Sequence, residues 1–222
     1  MGKNIELTSS DGFKLGAYRA DPAGKPKGAI VLVQEIFGVN HHIKAVADGY
    51  AADGYAVIAP AYFDRVQKNF DVGYSQADME QARAIPAKMD WGKVAADTQA
   101  AVNELKAAGK VAVIGYCWGG TVAWLSACKV DGVAGAVAYY GGGVPGMVGD
   151  KPRVPVMFHW GEKDHAIPMD AVKKVEAAHP TAQSFVYPAG HGFNCDERGS
   201  FDAGSAKQAR ERTLEFLKKN VG

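Results

Sequence analysis

The chain has 222 residues, 47% of them hydrophobic, with 27 glycines and 10 prolines. That length suffices to bury a full core, and residues 1–222 read as one domain. Twenty-five Lys and Arg against twenty-four Asp and Glu leave a formal net charge of +1, which argues against nucleic acid or an anionic membrane as partner and for a small molecule.

No run approaches the roughly 20 apolar residues that span a bilayer, and the opening MGKNIELTSSDG lacks the apolar centre of a secretory signal. A cytoplasmic location is therefore expected. Cys117, Cys128 and Cys195 are odd in number and widely spaced, which fits neither a disulfide framework nor a zinc ligand set, so reduced thiols and no metal are expected.

The first two elements are short strands over 4–7 and 13–18, joined by Ser10-Asp11-Gly12, residues that tolerate tight turns. They predict an antiparallel edge. Six short apolar runs follow, GAIVLVQ from Gly28, YAVIAP from Tyr55, KVAVIGY from Lys110, VAGAVAYY from Val133, VPVMFHW from Val154 and QSFVYP from Gln183. Such β-branched runs are what strands buried on both faces look like. Helical spacing fills the gaps over 42–53, 76–87, 94–108, 119–128 and 169–178, with 206–219 closing the chain. The alternation predicts an α/β domain with a mostly parallel central sheet and helices on both faces. Ligands of such sheets bind beyond the carboxyl ends of the strands. The glycine-rich segment 141–146 reads as a long loop at that end.

Within GYCWGG, Cys117 lies between an apolar strand and a helix of small residues. This is the strand-turn-helix context of a G-x-S-x-G nucleophile elbow, with cysteine in the serine position. Glycines flank such a nucleophile because a side chain beside the sharp turn would collide with the strand or helix. The helix N-terminus favours a thiolate and a developing oxyanion. Cys128, deep in a helix, reads as core, and Cys195 as a passive residue at a pocket border.

A nucleophilic thiol needs a base and a group that orients it. In the order nucleophile, acid, histidine, GEKDHAIP puts Asp164 on a loop after one strand, with Pro168 at the start of the next helix, and AGHGF puts His191 on a loop after the last strand. His191 would take the thiol proton on one nitrogen while Asp164 holds the other. His165 precedes the place a base should occupy, His159 reads as a satisfied interior residue, His179 as a helix end, and His41 and His42 as a solvated helix start. The segment QEIFGVN follows the first parallel strand, where the Ile36 N–H can join that of Trp118 as oxyanion donors. Glu35 ends a buried strand, so it is either an ion-pair member or a site residue.

Together QEIFGVN, GYCWGG, GEKDHAIP and GHGF resemble the dienelactone hydrolase family of α/β-hydrolases, in order and over essentially the whole chain. The resemblance implies an eight-stranded sheet, a Cys117, Asp164, His191 triad, no cofactor and a monomer. It also implies that Glu35 contacts the resting thiol and helps form the thiolate when substrate binds. The best-known members grip a substrate carboxylate with two arginines. Here the position four residues after His191 is Cys195, which leaves Arg83 and Arg198 as candidates, although DERGS also reads as an exposed turn. Phe37, Trp118, Tyr139, Tyr140 and Phe193 are expected to supply an aromatic pocket, about half of them as lining. The function expected is hydrolysis of small esters or lactones through an acyl-enzyme. The alternative is a thiol redox or ligand sensor on the same scaffold, which would need neither Asp164 nor His191.

Overall fold

The computed structural model describes residues 2–222. Eight strands form one sheet in the order β1 (Lys3–Thr8), β2 (Lys14–Ala20), β4 (Tyr55–Pro60), β3 (Gly28–Val33), β5 (Val111–Tyr116), β6 (Val133–Tyr139), β7 (Val156–Gly161) and β8 (Gln183–Tyr187). β2 pairs antiparallel with both β1 and β4, and β3 to β8 run parallel. The antiparallel edge and the parallel centre match the expectation, and every residue of β3, β4 and β5 is buried.

The helices are α1 (His41–Ala52), α2 (Gln76–Arg83), α3 (Trp91–Leu105), α4 (Trp118–Lys129), α5 (Met169–Ala178) and α6 (Ala203–Asn220). Two adjacent residues of β5 show how they layer. A Cβ on Gly115 would run into the Gly119 carbonyl of α4, whereas Tyr116 turns its hydroxyl to Tyr50 of α1, 3.3 Å away. Because successive strand residues point to opposite faces, α4 covers one face and α1 the other. α3 packs beside α4, and α6 joins α1 through Arg210, whose guanidinium lies over the Tyr50 ring and bonds to Asp53 at 2.6 Å.

Local chemistry moves several boundaries from their expected places. α3 begins at Trp91 because Asp90 accepts from the Lys93 N–H, and α6 begins at Ala203 because Asp202 accepts from the Ser205 N–H. α2 stops at Arg83, and Pro86–Lys88 makes only a 3-10 turn, since Pro86 has no N–H with which to continue a helix. Pro168 caps α5 from just outside the helix. The glycine-rich segment contains a 3-10 turn, Val144–Met147, tied to α4 by the Gly143 N–H donating to Thr121 Oγ1 at 2.9 Å.

Two buried polar groups hold the layers in register. Arg65 forks onto Asp97 of α3 with two 2.7 Å bonds and reaches out to Asp11 in the β1–β2 turn. His159 of β7 lies between the Tyr187 hydroxyl at 2.8 Å and Thr213 of α6 at 3.0 Å, and Thr213 also meets the Tyr139 hydroxyl at 2.7 Å.

Removing one member of a buried ion pair strands the other. Asp97→Ala is therefore expected to lower the unfolding free energy by about 3–5 kcal/mol in urea titrations, and a loss below about 1 kcal/mol would show that the fork is not what holds α3. Burial, aided by the charge of Arg212, pushes the His159 imidazole down to about 3 from its ordinary 6.5. Between those values the unfolded chain binds a proton that the folded chain refuses, so stability should fall as pH drops from about 6.5 to about 3 and then level off. The slope is on the order of 1 kcal/mol per pH unit. Denaturation curves of His159→Gln across that window should be flatter than those of the wild type; equal slopes would place the acid sensitivity elsewhere.

Candidate active site

Cys117 occupies the one-residue gap between β5 and α4 with φ 56° and ψ −116°. Its N–H donates to the Tyr139 carbonyl at 3.0 Å, which fixes the turn to β6. The flanking glycines are required by approach. A Cβ on Gly119 would come within 2.5 Å of the Val33 and Gln34 carbonyls, so only a bare α-carbon lets α4 begin against the end of β3. Cys117 is half-buried and free of any disulfide.

Asp164 lies just past β7, almost fully buried, with Oδ1 accepting from the Ala166 N–H at 2.8 Å and the Ile167 N–H at 3.2 Å. Its other oxygen accepts from His191 Nδ1 at 2.7 Å, and His191 Nε2 faces Cys117 Sγ at 3.0 Å. Two backbone donors thus aim the carboxylate, the carboxylate orients the imidazole, and the imidazole meets the thiol. The edge of the Tyr140 ring, 5.1 Å away, braces His191 from the side. Burial disfavours the charged imidazole, but the hydrogen bonds to Asp164 and Cys117 and their charges outweigh it and raise His191 to about 10. The charged ring stabilises the folded chain fully below its ordinary 6.5, and that contribution is lost as pH rises toward 10.

Around this line several buried polar atoms have no partner among the described residues: both amide atoms of Gln34, Oε2 of Glu35, Nε1 of Trp118 and the Tyr140 hydroxyl. Leaving such an atom unpaired costs about 1–3 kcal/mol, and all of these belong to residues at the carboxyl ends of β3, β5 and β6. The backbone N–H groups of Ile36 and Trp118 likewise donate to nothing among the described residues. Glu35, 1% exposed, binds Arg198 NH1 through Oε1 at 2.9 Å.

A profile of the dienelactone hydrolase family matches residues 15–221. The chain belongs to the dienelactone hydrolase family. It is 33% identical over 228 residues to the carboxymethylenebutenolidase of Pseudomonas putida, covering 98% of this chain and 96% of that one. Against carboxymethylenebutenolidase 1 of Cupriavidus pinatubonensis the identity is 30% over 227 residues, with 98% and 97% covered. A crystal structure of a candidate dienelactone hydrolase from Klebsiella pneumoniae superposes with a TM-score of 0.85 at 30% identity, covering 98% of each chain. This member of the family is accordingly a carboxylic ester hydrolase on an α/β-hydrolase sheet.

The structure brings Cys117, Asp164 and His191 into contact, and Ile36 and Glu35 follow the strand against which the elbow packs. The resemblance put Glu35 on the resting thiol; here its carboxylate turns to Arg198, and the thiol's partner is His191. Asp196, Glu197 and Gly199 make an exposed turn, but the Arg198 side chain leaves it inward: it is 16% exposed, and its guanidinium lies 5.6 Å over the Phe37 ring. Arg83 ends α2 in solvent with no side-chain partner among the described residues.

Most of the expected aromatic pocket is core. Tyr139 is fully buried and reaches Thr213 of α6 on the opposite face of the sheet, because it is one residue out of phase with Tyr140. Phe193 fills the space between Tyr140 and Tyr187, and Phe37 packs edge-on against Tyr74 at 4.6 Å. Trp118, 8% exposed, is clamped by Trp91 at 6.0 Å, Phe63 at 4.9 Å and Tyr62 at 5.7 Å. Trp91 and Tyr74 had no sequence signal, since nothing local ties them to the elbow. His159 is interior, as expected, and His165 is exposed, but His42 is not solvated: it is 4% exposed and bonds Asp196 at 3.0 Å, while His41 pairs with Glu197 at 2.7 Å.

Two of the four interactions that raise His191, a hydrogen bond and a charge, come from Cys117. In Cys117→Ala the His191 midpoint, followed by histidine ring proton NMR, should fall from about 10 toward 6.5. A midpoint that stays near 10 would mean that Asp164 alone sustains the charge.

Proposed function

We propose that the chain is a cysteine-dependent hydrolase of small esters or lactones that works, as a single-domain monomer, through a Cys117–His191–Asp164 triad and an acyl-enzyme. The observation that carries this reading is the continuous line from Asp164 through His191 to Cys117, at 2.7 Å and 3.0 Å, ending on a residue held in left-handed backbone.

With the thiol proton held on His191, the Cys117 sulfur attacks the carbonyl carbon. The negative charge moves to the carbonyl oxygen, where the unoccupied N–H groups of Ile36 and Trp118 receive it. Collapse expels the alcohol oxygen, which takes the proton from His191 and leaves a thioester on Cys117. In a lactone that alcohol stays tethered to the acyl group. Water then gives a proton to His191, attacks the thioester and releases the acid, and the thiolate leaving group recovers the proton. Asp164 stays ionised throughout and steadies the imidazolium.

Glu35 and Arg198 set the preference among substrates. The Arg198 guanidinium is held at the end of β3 by Glu35, its carboxylate partner. A substrate carboxylate competes for it and opens the pair with Glu35, whose second oxygen is already unpaired, while the thiol proton stays with His191. A thiol sensor would use neither His191 nor Asp164, and the completeness of the line favours the hydrolase.

Hydrolysis of cis- and trans-dienelactone should be compared with that of neutral aryl esters. Cys117→Ala is expected to lower kcat/KM at least ~10^4-fold on all of them, and retained turnover would refute the nucleophile. Arg198→Gln should raise KM at least tenfold (~1.4 kcal/mol) for the lactone acids while leaving the neutral esters within about threefold. Equal losses on both would show that Arg198 only neutralises Glu35.

A further inference from the structure

His42 opens α1 and Cys195 and Asp196 lie on the loop after His191, more than 150 residues later in the chain. A ring nitrogen of His42, the thiol sulfur of Cys195 and a carboxylate oxygen of Asp196 all lie within 4.8 Å of one another. None of the three belongs to the triad. We propose that they form a binding site for a soft divalent transition-metal ion, Zn²⁺ or its spectroscopic substitute Co²⁺, with water completing four-fold coordination.

The donor set fits that class of ion. Imidazole, thiolate and carboxylate with one open position are what zinc-like ions accept, and a thiolate disfavours Mg²⁺ or Ca²⁺. Metal–ligand bonds of about 2.0–2.3 Å in a tetrahedron put ligand atoms about 3.3–3.7 Å apart. His42 Nδ1 and Asp196 Oδ1 are already 3.0 Å apart, and the sulfur lies within 4.8 Å of both ligands. Asp196 is exposed and free to adjust.

His42 is 96% buried by its 4% exposure, and its Nε2 has no partner among the described residues. An ion taking Nδ1 sends the imidazole proton to that idle nitrogen. Cys195, fully buried, loses its thiol proton to solvent, so the thiolate charge is made only as the cation arrives. A pocket of about 340 Å³ bordered by His42, Asn194 and Asp196 reaches two of the three ligands, and Cys195 does not line it. Arg210 on its far wall is committed to Asp53.

The test is titration of the full-length protein with Co²⁺, following thiolate-to-cobalt charge transfer in the near ultraviolet, with metal content measured after desalting. One equivalent and a charge-transfer band are expected in the wild type and in Cys117→Ala. Cys195→Ser should abolish the band, and His42→Gln should weaken binding at least tenfold. Circular dichroism melts of both variants distinguish loss of the site from loss of the fold, and Asp196→Asn, which alters an exposed side chain, gives a second weakened case without a buried change. The proposal is overturned if no band forms, if the band survives Cys195→Ser, or if it disappears in Cys117→Ala, which would put the ion on Cys117 and His191.

Discussion

A single residue held at positive φ organises this molecule. With φ at 56°, Cys117 occupies backbone that costs a non-glycine residue of order 1–3 kcal/mol, and the surroundings must over-determine it. They do so from three sides. Its N–H is bonded to β6, the start of α4 presses against the carbonyls that end β3, and Gly115 and Gly119 remove the side chains that would forbid both approaches. Relaxing the turn would separate α4 from two strands at once. The sulfur is therefore presented at the carboxyl edge of the sheet by packing, and the loops carrying Asp164 and His191 only have to meet it there.

The energetic character of the site differs from that of the rest of the protein. Two interior groups are paired: Arg65 forks onto Asp97, and His159 has a hydroxyl at each nitrogen. At the carboxyl ends of β3, β5 and β6 the pattern reverses, with unpaired atoms on Gln34, Glu35, Trp118 and Tyr140. Stability is forgone at the place where a ligand's polar groups would be accommodated, which is where local structural rules are expected to give way to function. Glu35 and Arg198 illustrate the balance, since each would be a costly buried charge alone and together they form an ion pair.

β6 shows how one strand serves both regimes. Tyr139 and Tyr140 are neighbours in sequence, yet the first joins the hydroxyl chain of Thr213 and His159 beneath α6 and the second braces His191. Tyr140 itself has φ 37°, so the chain leaves the strand in a turn at the point where it enters the site. The aromatic residues that seemed suited to a binding pocket are mostly the floor that keeps the triad in place.

The strands, the helices and the line of the triad were legible in the chain because they rest on local signals. Apolar β-branched runs mark strands buried on both faces, 3.6-residue spacing marks helices, and glycines around a cysteine between the two mark a turn that only they permit. Helix starts at Trp91 and Ala203 depend on single capping aspartates and fell a few residues from their expected places. What the sequence could not express was which distant side chains meet. The pairing of Glu35 with Arg198, the clamp of Trp91 on Trp118, the orientation of Tyr139 away from the site and the approach of His42 to Cys195 and Asp196 all join residues with no common local pattern. Periodicity reports the face that a residue occupies, and only the packed sheet and its loops decide what lies across from it.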